Sequence, residues 1–434
     1  MFWSGKVLEK IVCTHLKRHL LQVGYFEKFQ SAYREAHSTE TALLKVQNDV
    51  LHCLGKRSSV ALVLLDLRSA FDTIDHQLLL QRLESDAKVR GRALKWFSSY
   101  LNNRNQCVVI GGKRSTVNKC LYGVPQGSVL GPMLFTIYTT PLGKIISDHG
   151  LSLHMYADDT QIYLCCDVDT MDEKLGVLEA CIDKVKLWME DNFLKLNGEK
   201  TEFLIVQRNK KASSHYSLNI DGCDISASSH VRNLGVTFDG NINLEKHVNN
   251  ICRSAYYNIF KIGKVRKYLS QAATKQLVHA LVILKLDYAN ALLYGLPSSV
   301  LSKLQRVQNM AARMITKTKK SEHISPILEE LHWLPIRQRI TYKVLLYVFK
   351  CVNSCAPAYL QELIQIYKPT RNLRSREQIL LVKHRSVLKV GERCFSIAGP
   401  ELWNSLPHYM RSIDTLQQFK KDLKTLLFKQ AFYH

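Results

Sequence analysis

A chain of 434 residues with 46% hydrophobic content is long enough to bury a substantial core and points to two or three domains. Its 60 Lys and Arg against 37 Asp and Glu leave a formal charge of +23, which favours a polyanionic partner and a salt-sensitive affinity. The basic residues are spread along the chain rather than gathered on one amphipathic helix, which argues against a membrane surface, and the opening MFWSGKVLEK has no apolar stretch of a secretory signal.

In chain order, Lys6–Val23 carries Val7, Leu8, Ile11, Val12, Leu16 and Leu20 at helical spacing and reads as an amphipathic helix. A second helix is expected over Thr39–Leu54, capped by Ser38 or Thr39 with Glu35 or Glu40 nearby. Val60–Leu65 is short and rich in β-formers, so it reads as a buried central strand ending at Asp66. Gln77–Leu101 is expected to be helical, and Gln106–Ile110 with Thr116–Leu121 to form a hairpin across Gly111-Gly112. Gly123–Gly127 is a Gly/Pro loop feeding a helix from about Ser128 to Ile146. Leu151–His154 and Gln161–Leu164 read as two strands, followed by a helix over Met171–Asn192 and a strand over Glu202–Gln207. Strand–helix alternation around one sheet predicts an α+β fold.

Beyond Asp239 the pattern is helical throughout. Glu245–Lys267, Gln271–Leu293 and Val300–Lys319 read as three helices separated by Ser, Gly and Pro signals. Arg306, Arg313, Lys317, Lys319 and Lys320 cluster on and after the third, either as a solvated face or as phosphate contacts. The apolar stretch Leu277–Leu296 holds Lys285 and Asp287 and reads as a core helix rather than a membrane span. Ser321–His434 is a further helical region with a Pro/Arg-rich interval, Lys368–Arg376, whose role the residue chemistry does not define. The 12 cysteines form no framework: Cys165 and Cys166 point to opposite faces of a strand, and Cys351 and Cys355 lack a second pair at zinc spacing. Reduced thiols in an intracellular protein, nuclear or cytoplasmic, are expected, with no membrane association and no evident protein partner.

The chemistry concentrates in Tyr156-Ala157-Asp158-Asp159-Thr160, two adjacent carboxylates at a tight turn between apolar strands. Alone, the pair suits a solvated β-turn equally well. Asp66, at the end of a buried strand, needs a partner, a metal or an exposed position, and alone it also suits a turn before the next helix. Together the three acids supply ligands for two oxygen-preferring cations, the arrangement that activates a 3′-hydroxyl and stabilises pyrophosphate in nucleotidyl transfer.

Ala61–His76 (ALVLLDLRSAFDTIDH), Gly123–Phe135 (GVPQGSVLGPMLF) and Tyr156–Thr160 (YADDT) resemble motifs A, B and C of reverse transcriptases. Their wording is similar to that of non-LTR, LINE-type retrotransposons of the Jockey and chicken-repeat branch. Phe29–Leu43 (FQSAYREAHSTETAL) resembles that branch's fingers motif, Asn192–Phe203 (NFLKLNGEKTEF) motif D, and Asn233–Phe238 (NLGVTF) motif E. The likeness extends to Leu331–Pro335 (LHWLP) and Trp403–Pro407 (WNSLP), so it covers nearly the whole chain.

The resemblance implies a right-hand polymerase: partial fingers and an antiparallel-sheet palm over 1–238, a helical thumb over 239–320, and a C-terminal helical basic region over 321–434. It implies an RNA-directed DNA polymerase with an RNA template, a DNA primer and dNTP as partners. Two Mg²⁺ ions, with Mn²⁺ as the alternative, would be held by Asp66, Asp158 and Asp159 with the Leu67 carbonyl. Lys200 would act as general acid, Phe71 as the sugar-selecting ring, and Gln126 and Gly127 as the loop under the incoming base pair. Arg34 would contact the triphosphate, and Leu234-Gly235 would form the primer grip.

The chain also departs from its relatives. Glu35 and Ala36 stand where Pro-Gly is common. The resemblance leads to the expectation that the sequence starts inside the fingers, without the endonuclease of full-length relatives before it and without a ribonuclease H constellation after the thumb. A shortened fingers region makes a non-catalytic RNA-binding remnant the competing expectation. A group II intron maturase or a telomerase-like polymerase is a lesser one, disfavoured by the wording of the fingers and tail.

Overall fold

The structure, a computed structural model, describes residues 3–207, 216–220, 222–368 and 379–433. Helix α1 (Trp3–Gln22) buries Cys13, Leu16 and Leu20 on one face, as its 3.6-residue spacing requires. Helix α2 (Thr39–Gly55) starts at Ser38, whose hydroxyl accepts from Thr41 N while Thr41 Oγ1 accepts from Ser38 N. This capping box is closed by Thr rather than by either nearby Glu. Strands β1 (Ser59–Leu65) and β2 (Leu67–Arg68) flank Asp66.

Helices α3 (His76–Ser85) and α4 (Gly91–Leu101) replace the single helix expected over Gln77–Leu101. The chain turns between them at Lys88 and Gly91, with φ of +57° and +61°, which no right-handed helix holds. Strands β3 (Arg104–Gln106), β4 (Val109–Ile110), β5 (Lys113–Arg114) and β6 (Asn118–Cys120) form the expected hairpin, β4 pairing β5 around Gly111-Gly112 and β3 pairing β6. Helices α5 (Gly131–Thr139) and α6 (Pro141–Asp148) again divide one expected helix. Pro141 lacks the N–H needed to continue α5 and has the φ suited to a first helical turn.

Strands β7 (Ser152–Tyr156) and β8 (Asp159–Cys166) pair antiparallel, with Tyr156 opposite Asp159. Helix α7 (Met171–Asp191) leads to β9 (Lys195–Leu196) and β10 (Glu202–Val206). The central sheet runs β10-β1-β8-β7, so β1 is an inner strand, and six of its seven residues are buried, as the Val60–Leu65 run predicts. Two antiparallel hairpins follow, β11 (Ser217–Ile220) with β12 (Cys223–Ser226) and β13 (His230–Asn233) with β14 (Val236–Asp239).

The rest of the described chain is largely helical: α8 (Glu245–Val265), α9 (Gln271–Val278), α10 (Leu284–Asp287), α11 (Ser298–Thr316), α12 (Ser325–Glu330), α13 (Ile336–Val352), α14 (Ala358–Gln361), α15 (Phe395–Ser405), α16 (His408–Arg411) and α17 (Leu416–Phe432). The helix expected over Gln271–Leu293 is broken. A π turn at His279–Ile283 joins α9 to α10, and Asn290–Leu293 is a 3₁₀ turn. Ala289 sits at φ +50°, and Asp287 is gripped by Arg339 of α13 at 2.8 and 2.5 Å, a tertiary tie that local periodicity does not reveal.

The chain divides into two compact units. The first comprises Met1–His37, Ala61–Phe203 and Ser214–Ser228; the second comprises Ser38–Val60, Leu204–Ser213 and Ser229–His434. In the first, buried Arg82 donates to Tyr138 O and Asn192 Oδ1 and lies over the Tyr138 and Trp188 rings. In the second, buried Glu40 accepts from Ala291 N at 3.0 Å and Tyr347 OH at 3.0 Å, and pairs with Lys343 at 3.3 Å. Trp403 of the WNSLP motif is fully buried, its ring centroid 5.9 Å from Phe419 and 6.5 Å from Phe349. Ten cysteines are free thiols, three of them exposed. Pro369–Arg376 of the Pro/Arg-rich interval lies outside the described residues. Among the described residues, no helix is long and apolar enough to cross a membrane.

Candidate active site

Asp66 lies in the one-residue gap between β1 and β2, so the sheet delivers its side chain at a strand end rather than inside the core. Asn197 fixes it twice: Asn197 N donates to Asp66 O at 2.9 Å, and Asn197 Nδ2 donates to Asp66 Oδ2 at 2.8 Å. The same carboxylate oxygen lies 3.6 Å from Lys200 Nζ. Leu67 begins β2 and pairs with Leu196 of β9, which anchors the backbone beside Asp66.

The acidic pair sits where β7 turns into β8. Ala157 and Asp158 form the two-residue loop, and Asp159 is the first residue of β8. Ala157 has φ +57°, which such hairpin turns demand and which a residue with a Cβ adopts only when held. Gln30 holds it. This side chain, 1% exposed, accepts through Oε1 from Ala157 N at 3.1 Å and Ala32 N at 3.0 Å, and donates through Nε2 to Ala157 O at 3.4 Å. Backbone bonds from Met155 N to Phe29 O and Ser31 N to Met155 O dock the same segment along β7. Sequence reasoning missed both Gln30 and Asn197, although each lies inside a quoted motif.

The three carboxylates lie within one another's electrostatic influence. Burial raises Asp158 above the ordinary carboxylate range, with the Asp66 charge adding to the rise and Lys200 opposing it. Burial, Asp158 and then Asp66 push Asp159 up to about 6. Tyr33 is also raised, first by burial and then by the Asp158 charge.

A stability test follows. Because the folded state holds the Asp159 proton more tightly than the unfolded chain, stability is full below 3.8 and is lost as pH rises through about 6. Without divalent metal, Asp159→Asn is therefore expected to melt about 1–2 °C higher than the parent at pH 8, with no gain below pH 4. Equal melting at pH 8 would remove the charge repulsion from the account.

The remaining predicted residues fall as follows. Phe71, half-buried, stacks on Phe135 at 4.6 Å between centroids and 25° between planes. Its segment is braced against the Gly123 loop: Val124 N donates to Phe71 O at 2.9 Å, Gly123 N to Ile74 O at 2.8 Å, and Gln126 Nε2 to both Asp72 carboxylate oxygens at 3.0 and 3.2 Å. Gly123 has φ +81°, and a Cβ there would meet Asp72 O at 2.8 Å, so only glycine fits. Gly127, at φ +74°, has open space where a Cβ would lie. Arg34 is turned onto its own loop, with Nη1 donating to Glu27 O and Gln30 O at 2.7 and 2.9 Å.

In the second unit, Leu234 and Gly235 form the β13–β14 turn with φ of +42° and +81°, and Tyr288 OH donates to Leu234 O at 2.6 Å. Arg306, Lys317, Lys319 and Lys320 are exposed, whereas Arg313 folds back onto Lys319 O and Glu322 O. A second basic face was missed: exposed Tyr257 and Phe260 of α8, and Tyr268 just after it, carry Lys261, Lys264 and Lys267 ammonium groups 4.4, 4.8 and 4.8 Å from their ring centroids. The i, i+4 spacing of the first two pairs was the available signal.

The donor chemistry suits a divalent oxygen-preferring cation: three carboxylates in mutual repulsion, two of them raised above their ordinary values. Among the described residues, however, no three acidic, His or Cys side chains are already set as ligands, and Asp66 is engaged by Asn197 and Lys200. The charges fit the ion; the coordination geometry is not preformed.

A strand-end aspartate facing an aspartate hairpin on one sheet defines a palm of the polymerase kind. Residues 1–238 match the family described as "Reverse transcriptase (RNA-dependent DNA polymerase)", and the chain belongs to it. It is similar to the RNA-directed DNA polymerase from mobile element jockey of Drosophila funebris, 26% identical over 323 residues that cover 72% of this chain and 34% of the relative. The probable RNA-directed DNA polymerase from transposon BS of Drosophila melanogaster is 25% identical over 328 residues, 72% of this chain and 35% of that protein. These relatives place the chain on the LINE-type, non-LTR side of the family, and it spans about a third of their length. Among solved structures, apo telomerase from Candida Tropicalis aligns at a TM-score of 0.40 and 12% identity, covering 80% of this chain and 58% of that one.

Proposed function

We propose that the chain is the polymerase part of a non-LTR retrotransposon protein, adding dNTPs to a DNA primer on an RNA template. The observation that carries this reading is the shared electrostatic field of Asp66, Asp158 and Asp159, residues at the ends of two adjacent strands, β1 and β8, of one sheet. Residues 1–238 serve as fingers and palm, 239–320 as thumb and 321–434 as a basic accessory region in this reading.

Asp66 and Asp158, with Asp159 beside them and the Leu67 carbonyl, are the groups that would hold two Mg²⁺ ions, or Mn²⁺ in their place. When bound, such ions supply positive charge that favours ionisation of the primer 3′-hydroxyl and offsets the charge of the triphosphate. Lys200, its side chain largely exposed beside Asp66, hands a proton to the departing pyrophosphate oxygen. Gln126 and Gly127 let backbone approach the incoming base pair, and Arg34, anchored through Nη1, meets the triphosphate from the fingers. Leu234-Gly235 grips the primer end. The Lys–aromatic face of α8 and the cations after α11 meet nucleic-acid phosphates and sugars.

Phe71, fixed by its stack on Phe135, closes the space that a ribose 2′-hydroxyl would need. Phe71→Val is expected to raise the efficiency of rNTP use relative to dNTP by about 10–100-fold, read by primer extension with each nucleotide set. An unchanged ratio would return Phe71 to the core.

The direct test is extension of a DNA primer on an RNA template by the purified chain with dNTPs and Mg²⁺. A second reading, a non-catalytic RNA-binding remnant, draws on the absence of a preformed ligand set among the described residues and on the Lys200–Asp66 pair. Salt-dependent RNA binding with no incorporation under Mg²⁺ or Mn²⁺ selects that second reading.

A further inference from the structure

Asn197 precedes and Lys200 closes the 3₁₀ turn Gly198–Lys200, and both reach one oxygen of Asp66, Oδ2. They do so on different terms. Asn197 is 7% exposed, and each of its polar groups is engaged. Its N and Nδ2 donate to Asp66 O and Oδ2 at 2.9 and 2.8 Å, and its Oδ1 accepts from Arg68 Nε at 3.3 Å. Its carbonyl accepts from Lys200 N at 3.1 Å and from Thr201 N and Oγ1 at 3.0 Å each. The backbone that carries Lys200 is thereby fastened to the backbone that carries Asp66.

The Lys200 side chain is held far more loosely. It is 72% exposed and meets Asp66 Oδ2 at 3.6 Å, a charge pairing too long for a hydrogen bond. Exposed pairs of this kind are weak, so the ammonium can swing away at little cost. Its charge reaches further than Asp66: burial raises the Asp158 carboxyl, and Lys200 is the cation that opposes the rise. The Asp66 side chain is itself 25% exposed, so its carboxylate stays open to an ion arriving from solvent. An ammonium facing two of three clustered carboxylates supplies the countercharge that such a cluster needs. Like charges repel, so the ammonium and a divalent cation cannot share one carboxylate oxygen.

We propose that Lys200 is the resident counter-ion of the acidic cluster, and that a divalent cation displaces its ammonium from Asp66 while Asn197 stays in place as a positioning residue. The displaced ammonium remains within a side chain's length of Asp66, because the turn beneath it does not move. Cation uptake thus frees Lys200 for the proton transfer assigned to it above, and the Lys200–Asp66 pair is a stage of the working site rather than a sign of its loss. This inference rests on the polymerase reading, which makes the three aspartates ligands of a cation.

The test is titration of the full chain with Mn²⁺ alone, without nucleotide or nucleic acid, reading free Mn²⁺ by electron paramagnetic resonance. Binding at the acidic cluster is the part that Asp158→Asn abolishes. Lys200→Met, an exposed substitution compatible with folding, is expected to tighten that binding by about fivefold while lowering primer extension. Lys200→Arg, which keeps a cation there, should stay within about twofold of the parent. Lys195→Met removes an exposed cation from β9 nearby and should also change the affinity by less than about twofold. Asn197→Ala takes away the orienting donor and should weaken binding by about tenfold, the opposite sign at the same oxygen. Equal affinity in the parent and Lys200→Met, or the same tightening from Lys195→Met, overturns the counter-ion role and leaves the cation site standing. Undiminished affinity in Asn197→Ala overturns its part as the fixed support. A parent with no Mn²⁺ binding that depends on Asp158 removes the cation site of the polymerase reading, and this inference with it.

Discussion

Asp158→Asn is expected to reduce primer extension on an RNA template by about 10³-fold or more. The substitution keeps the shape of the turn and removes one negative charge from a site where three carboxylates interact. Loss of a ligand to a catalytic cation forfeits several kcal/mol of transition-state stabilisation, at about 1.4 kcal/mol per tenfold in rate. RNA affinity, measured on the same preparation, should stay level or rise slightly, since the chain then carries one anion fewer. A variant that extends primers at the parent's rate would sink the assigned role of the acidic turn. A parent chain that binds RNA but extends nothing would leave the remnant reading standing.

Gln30→Leu is expected to damage both rate and stability without touching substrate. It leaves the N–H groups of Ala157 and Ala32 without their acceptor in a buried setting, at about 1–3 kcal/mol for each group. Freed from Gln30, the Ala157 peptide relaxes from φ +57° and carries the aspartates with it. Displacements of about 1 Å at reacting centres cost about 10²-fold in rate. Extension should therefore fall by about that factor at temperatures well below the melting point, with the melting point itself lowered. Gln30→Glu separates the two effects: it preserves an acceptor but adds a charge close to the acidic turn, so it should keep more stability than rate. Unchanged extension in the Leu variant would reduce Gln30 to ordinary packing.

The sequence made the site's ingredients visible and left their supports hidden. The apolar run before Asp66 and the strands around Tyr156–Thr160 announce themselves through local pattern, and the structure puts β1 and β8 side by side. Gln30 and Asn197 act across 127 and 131 residues, so spacing along the chain carries no hint of what each one holds. Three expected helices were broken for different reasons. A left-handed turn at Lys88 and Gly91 interrupts continuous apolar spacing, Pro141 restarts a helix, and the Asp287–Arg339 pair draws on a partner 52 residues away. Arg34 and Arg313 show the converse limit: composition marks a cation, and only the fold shows that its guanidinium is occupied by backbone carbonyls.

Gly123 has a consequence for how this gene would decay. Its α-carbon faces Asp72 so closely that any side chain would wedge the two segments apart, irrespective of whether the protein turns over nucleotides. The acidic turn, by contrast, is held at an electrostatic cost that an amide would relieve. A lineage selected only to keep its shape would therefore shed an aspartate readily and still hold on to that glycine.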